Sequence, residues 1–103
     1  MSNIAPLTVL SAVVPLGAET PEWTLREGEG PRSYTQSVQF DRAFSAPPVV
    51  QLGVCGVDAS KDHNLRLRTR AEDIQPSGFT LVVETWLQTQ LWSVEVSWLA
   101  IGS

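Results

Sequence analysis

Residues 78–102 read GFTLVVETWLQTQLWSVEVSWLAIG, two runs in which apolar residues return at every second position. Successive side chains of a strand point to opposite faces, so a period of two specifies β-strands and is incompatible with a helical stripe. Phe79, Leu81, Val83 and Thr85 share one face of the first run, and Trp92, Val94, Val96, Trp98 and Ala100 share one face of the second. The intervening positions are mostly polar: Thr80, Glu84, Ser93, Glu95 and Ser97. The pattern predicts a hairpin with one wet and one dry face, joined by the short, mostly polar connection Leu87, Gln88, Thr89, Gln90. Trp86 breaks it by falling on the outward parity at a strand end. An indole in that position is an interface anchor, a stacking platform for a ligand, or a ring folded over the sheet edge.

The rest of the chain repeats this reading more weakly. Residues 1–18 are apolar, but they contain no Lys or Arg and are interrupted by Pro6 and Pro15. That makes a poor secretory signal, and the run is too short for a membrane helix. Residues 8–14 read instead as a strand or as an arm docked on this subunit or a neighbour. A short strand is expected at 23–26, followed by the acidic glycine loop Glu27, Gly28, Glu29, Gly30, Pro31. Residues 1–31 thus form an arm, a first strand and an acidic loop, and 32–103 form the core of the same single domain.

Val38 and Phe40 share a face, and Pro47-Pro48 sets an extended entry to the alternating Val50, Leu52 and Val54. Residues 64–70, NLRLRTR, alternate most cleanly: Leu65, Leu67 and Thr69 are expected inside, Asn64, Arg66, Arg68 and Arg70 outside. Residues 71–77 read as a connection, with turn chemistry at Pro76, Ser77 and Gly78. Six or seven short strands without helical periodicity make an all-β antiparallel β-sandwich.

Composition narrows the function by exclusion. With 103 residues there is room for one domain, and a net charge of −4 provides no basic field for nucleic acid. One cysteine, Cys55, and one histidine, His63, cannot build a disulfide or a Cys/His zinc site within the chain. His63 sits in a charged loop with no nucleophile beside it, and loop 58–64 lacks the spacing of a calcium loop. No metal, cofactor or catalytic residue is therefore expected, nor any phosphate-binding glycine motif. What remains suits neutral polar ligands: an exposed indole, outward arginines, an acidic loop and a polar connection. Sugars present an apolar C–H face to an indole and a rim of hydroxyls to carboxylates and guanidinium groups.

The ordered series Val38-x-Phe40, Phe44, Pro47-Pro48-Val49-Val50, Asp58, Asn64-Leu65-Arg66, Ser77-Gly78-Phe79, Thr85-Trp86, Thr89 and Val96-Ser97-Trp98-Leu99-Ala100 resembles the H-type lectin domain of snail agglutinins and discoidins. It runs over about two thirds of the chain, from Arg32 to Ile101. The resemblance implies a six-stranded antiparallel sandwich, homotrimers or hexamers, and galactose or N-acetylgalactosamine bound at clefts between subunits. It also implies a role in cell adhesion at an extracellular, particle or cell surface, without membrane insertion.

Position by position, the family's sugar-binding arginine corresponds to Arg66, its Thr-Trp pair to Thr85-Trp86, and its following aromatic to Trp92. An acidic residue donated by the neighbouring subunit falls at Glu29. Leu87 stands where snail members carry a sugar-contacting histidine, and Val83 stands where one of their disulfide cysteines would be. The competing expectation is a trimeric structural or assembly module in which Arg66 and Trp86 are buried in protein contacts.

Overall fold

The computed structural model describes residues 6–103; residues 1–5, the start of the expected arm, lie outside the described residues. Six strands follow one another: β1 (Thr8–Gly17), β2 (Arg32–Gln39), β3 (Val49–Ala59), β4 (Arg68–Gln75), β5 (Gly78–Thr85) and β6 (Leu91–Gly102). They form two three-stranded antiparallel sheets, ordered β1-β6-β3 and β2-β5-β4. The all-β antiparallel sandwich expected from the alternation, with the six strands implied by the resemblance, is the architecture of the chain.

The long stretch that predicted a hairpin is not one. β5 and β6 are the central strands of opposite sheets, so residues 86–90 cross the sandwich rather than turn within a sheet. Alternation reports which side of a strand is dry, and two facing central strands carry the same pattern as two paired ones. The hairpin lies one strand earlier, where β4 continues to Gln75 and Pro76-Ser77 make the turn, with Gln75 opposite Gly78. The expected connection at 71–77 is therefore mostly strand. Gly78 is required there, because an added Cβ would run into the Val38 carbonyl of β2.

Phe79, Leu81 and Val83 of β5 and Val94, Val96, Trp98 and Ala100 of β6 are buried between the sheets. Phe40, Phe44, Phe79 and Trp98 cluster with ring centroids 5.2 to 5.9 Å apart, mostly tilted or edge-on as ring quadrupoles prefer. The opposite end is closed by Leu16, Trp23, Leu25 and Leu91. The Trp23 indole donates to the Leu91 carbonyl at 3.0 Å and its ring lies 5.4 Å from that of Tyr34. Residues 23–26 are not a strand: Trp23 and Leu25 are buried plugs of a turn-rich loop.

Two other inward expectations fail. Leu65 is 53% exposed, because β4 begins only at Arg68 and 64–67 lies outside the sheet where parity no longer applies. Trp92 is 40% exposed despite the parity it shares with Val94, since the register of β6 against β3 shifts between Asp58 and Ala59 and it is Leu91 that turns inward.

Candidate functional site

Strand register gathers the ends that matter. Gly17 lies opposite Ser93, Asp58 opposite Ser93, Arg32 opposite Thr85 and Arg68 opposite Glu84, so loops 18–31, 60–67 and 86–90 all emerge at one end of the sandwich. Glu29, Arg66, Trp86, Leu87 and Trp92 belong to those loops or to their flanks.

The 86–90 crossing is built on two buried threonines. Thr85 Oγ1 donates to the Arg66 carbonyl at 2.6 Å. Thr89 Oγ1 donates to the Asn64 carbonyl at 2.5 Å and accepts from the Arg66 amide at 3.1 Å. These bonds replace the sheet ladder that 64–67 lacks, so the buried hydroxyls and the backbone satisfy each other. Leu87 occupies the left-handed region at φ 57°, a conformation that costs a non-glycine residue about 1–2 kcal/mol. Its carbonyl is held from two sides, by the Gly30 amide at 3.0 Å and by Arg32 Nη2 at 2.8 Å.

Arg32 is the hub of this end. Its Nε donates to the Gly30 carbonyl at 3.0 Å, and its Nη1 to the carbonyls of Glu27 at 2.7 Å and Leu25 at 3.3 Å. One guanidinium thus joins the acidic loop to the crossing, using the fork of donors that a lysine lacks. Gly28 and Gly30, at φ 80° and 79°, let the loop turn its carbonyls toward Arg32.

Beside this clamp lies an open cleft of ≈ 450 Å³ lined by Pro31, Arg32, Ser33, Arg68, Glu84, Thr85 and Trp86. The Arg68 guanidinium stands over the Trp86 ring, 4.9 Å from its centroid. Glu84 forms an ion pair with Arg68 at 3.9 Å and a closer one with Arg70, which also holds Glu72 at 2.6 Å. The hydrogen bond that Arg70 donates to Glu72, reinforced by the charges of both carboxylates, raises the Arg70 pKa above its ordinary value. These side chains lie across the outer face of the β2-β5-β4 sheet, where Val82, on the wet parity, is nonetheless 2% exposed.

Of the expected residues, Trp86 enters this cleft. Arg66 is half-buried with its backbone tied to Thr85 and Thr89, and the basic side chain against the indole is that of Arg68. Leu87 is exposed at the turn, and Glu29 is exposed between the two glycines of the loop. Trp92 lines a separate cleft of ≈ 550 Å³ with Glu19, Thr20 and Glu95, on the side of the β1-β6-β3 sheet, and Arg26 stands 5.7 Å from its ring centroid. Sequence reading did not single out Arg32. The available signal was a lone arginine opening a strand directly after a Gly-x-Gly-Pro loop rich in unpaired carbonyls.

The sequence model of the H-type lectin domain matches residues 35–101. The chain belongs to the H-type lectin domain family. This places it among carbohydrate-binding modules and agrees with the six-stranded sandwich. A protein of Fuscovulum blasticum described as "ATP synthase subunits region ORF 7" is 41% identical over 81 residues, which cover 79% of this chain and 68% of that one. Two solved structures of discoidin II from Dictyostelium discoideum, of the wild-type and of the native recombinant protein, share the fold. Their TM-scores are 0.84 and 0.85 at 24% identity, over 98% and 99% of this chain. This H-type lectin domain spans only 38% and 39% of those chains.

Proposed function

We propose that this H-type lectin domain binds glycans of the galactose and N-acetylgalactosamine type at the end carrying Trp86, without catalysing a reaction. The observation that carries the reading is the Trp86 cleft, in which one indole is flanked by Arg68, Glu84 and Ser33 in an open cavity of sugar size. The ring offers apolar surface to a pyranose C–H face, and the charged rim offers strong hydrogen bonds to hydroxyls. Arg66, Trp92 and Glu29 are proposed as further contacts on the strength of the family correspondence, with Glu29 reaching across from a neighbouring subunit.

The expected trimer draws support from the outer face of the β1-β6-β3 sheet. Val9, Ile101 and Val49 lie in register across its three strands, and Val49 is 71% exposed. Association would also turn weak single sites into useful multivalent ones.

A glycan array with wild type, Trp86→Ala and Arg66→Ala, on protein of known sedimentation state, tests the reading. Binding to galactose-family glycans that is lost in Trp86→Ala supports it. An intact oligomer that binds no glycan moves the function to assembly, and a monomer at micromolar concentration removes the intersubunit site.

A further inference from the structure

Charge at the Trp86 cleft is unevenly balanced. Two arginines, Arg32 and Arg68, are among its lining residues, together with one acidic residue, Glu84. Glu84 is already held more closely by Arg70 than by Arg68, whose distance is 3.9 Å. The four hydrogen bonds of Arg32 all go to backbone carbonyls, which fix its orientation and leave its formal charge without a carboxylate partner among the described residues. A guanidinium has five N–H donors, so one N–H of Arg32 Nη2 stays uncommitted.

The strand order places these two arginines on the strands either side of the one that leads to the indole. Arg32 opens β2 opposite Thr85, Arg68 opens β4 opposite Glu84, and Trp86 leaves the end of β5 that lies between them. Neighbouring strands are about 4.8 Å apart, so β2 and β4 flank that exit at a span of about 10 Å, the scale of one sugar ring with a substituent. In a protein of net charge −4, a locally cationic cleft is a feature of the site and not of the overall field.

We propose that this cleft takes an acidic galactose-family sugar, one carrying a carboxylate or a sulfate ester, with its ring against Trp86 and its anionic group held by Arg32 and Arg68. This rests on the glycan-binding reading above and narrows it. Arg68 can meet an oxyanion with two N–H···O bonds and Arg32 adds one from its remaining Nη2 N–H, charge-assisted contacts stronger than any either makes with a neutral hydroxyl. The pre-fixed Arg32 loses little freedom on binding.

The test compares methyl galactoside with methyl galacturonide and 6-sulfo-galactoside by titration calorimetry, at low and at high salt. The wild-type protein is expected to prefer at least one acidic sugar over the neutral one by about tenfold, as one added charge-assisted contact implies. That ratio should narrow with salt, fall in Arg68→Gln and rise in Glu84→Gln. The opposite directions of the two variants separate a charge effect from damage to the fold. Which acidic sugar binds more tightly distinguishes carboxylate from sulfate as the recognised group. Galactose bound as well as both acidic forms, or a ratio that ignores both variants, overturns the proposal and leaves the glycan reading standing. No binding of any of the three sugars removes both.

Discussion

The Arg32 guanidinium donates to the Leu87 carbonyl at 2.8 Å, joining positions 55 residues apart. Together with its bonds to Leu25, Glu27 and Gly30, this makes one side chain the fastener between the acidic loop and the crossing that carries Trp86. Arg32→Lys keeps the charge but cannot reproduce four planar contacts. It should lower stability by about 2 kcal/mol, since hydrogen bonds involving a charged group contribute about 1.5–3 kcal/mol each and water recovers part of the loss. Urea unfolding would show the change as a lower midpoint at constant m-value, and an unchanged midpoint would mean the carbonyls are satisfied without Arg32.

Leu87 sits in the left-handed region on the exposed side of its turn, so its side chain adds strain without adding core. Asparagine tolerates that region far better. Leu87→Asn is expected to raise stability by about 0.5–1 kcal/mol, and thermal unfolding should move up by about 2–8 °C. Leu87→His, which restores the residue type of the snail members, should shift glycan preference toward N-acetylgalactosamine over galactose in a paired titration.

Thr89 serves two backbone groups through one buried hydroxyl. Thr89→Val preserves its shape and strands both the Asn64 carbonyl and the Arg66 amide. A cost of about 1–3 kcal/mol follows from leaving buried polar groups unpaired. Amide hydrogen exchange should speed up first at Arg66, and an exchange pattern matching wild type would assign the pinning to other contacts.

Leu25 is fully buried although it belongs to a loop, and its carbonyl accepts from the Leu91 amide at 3.0 Å. Leu25→Ala removes a plug between loop 18–31 and the start of β6. The expected loss is about 2–5 kcal/mol, the range for emptying a core leucine site. Chemical denaturation measures it, and a loss under about 1 kcal/mol would show that the loop collapses into the space.

The site was half legible. Trp86 stood out because a large apolar residue on a wet parity has no local reason to be there. Arg68 was visible as one of three outward arginines, but alternation could not rank it against Arg66. Ranking required knowing that β4 starts at Arg68 and that Thr85 and Thr89 hold 64–67 off the sheet. Arg32 was invisible because its partners are carbonyls, and every residue type carries one. Trp92 shows the opposite error: parity extrapolated to a strand end fails where a shift in register turns Leu91 inward instead.

By itself the amino-acid order determined the strand character, the dry faces of β5 and β6, and the family, because a period of two and an ordered series of residues are local properties of the chain. Which strands are neighbours was decided only by the tertiary structure. β5 and β6 carry the same pattern whether they pair edge to edge or face each other across the core, and it is burial of both dry faces against one another that selects the second arrangement. The cleft follows from that choice, since the crossing it imposes on 86–90 is what brings Trp86, Arg68 and Arg32 to the same end of the sandwich.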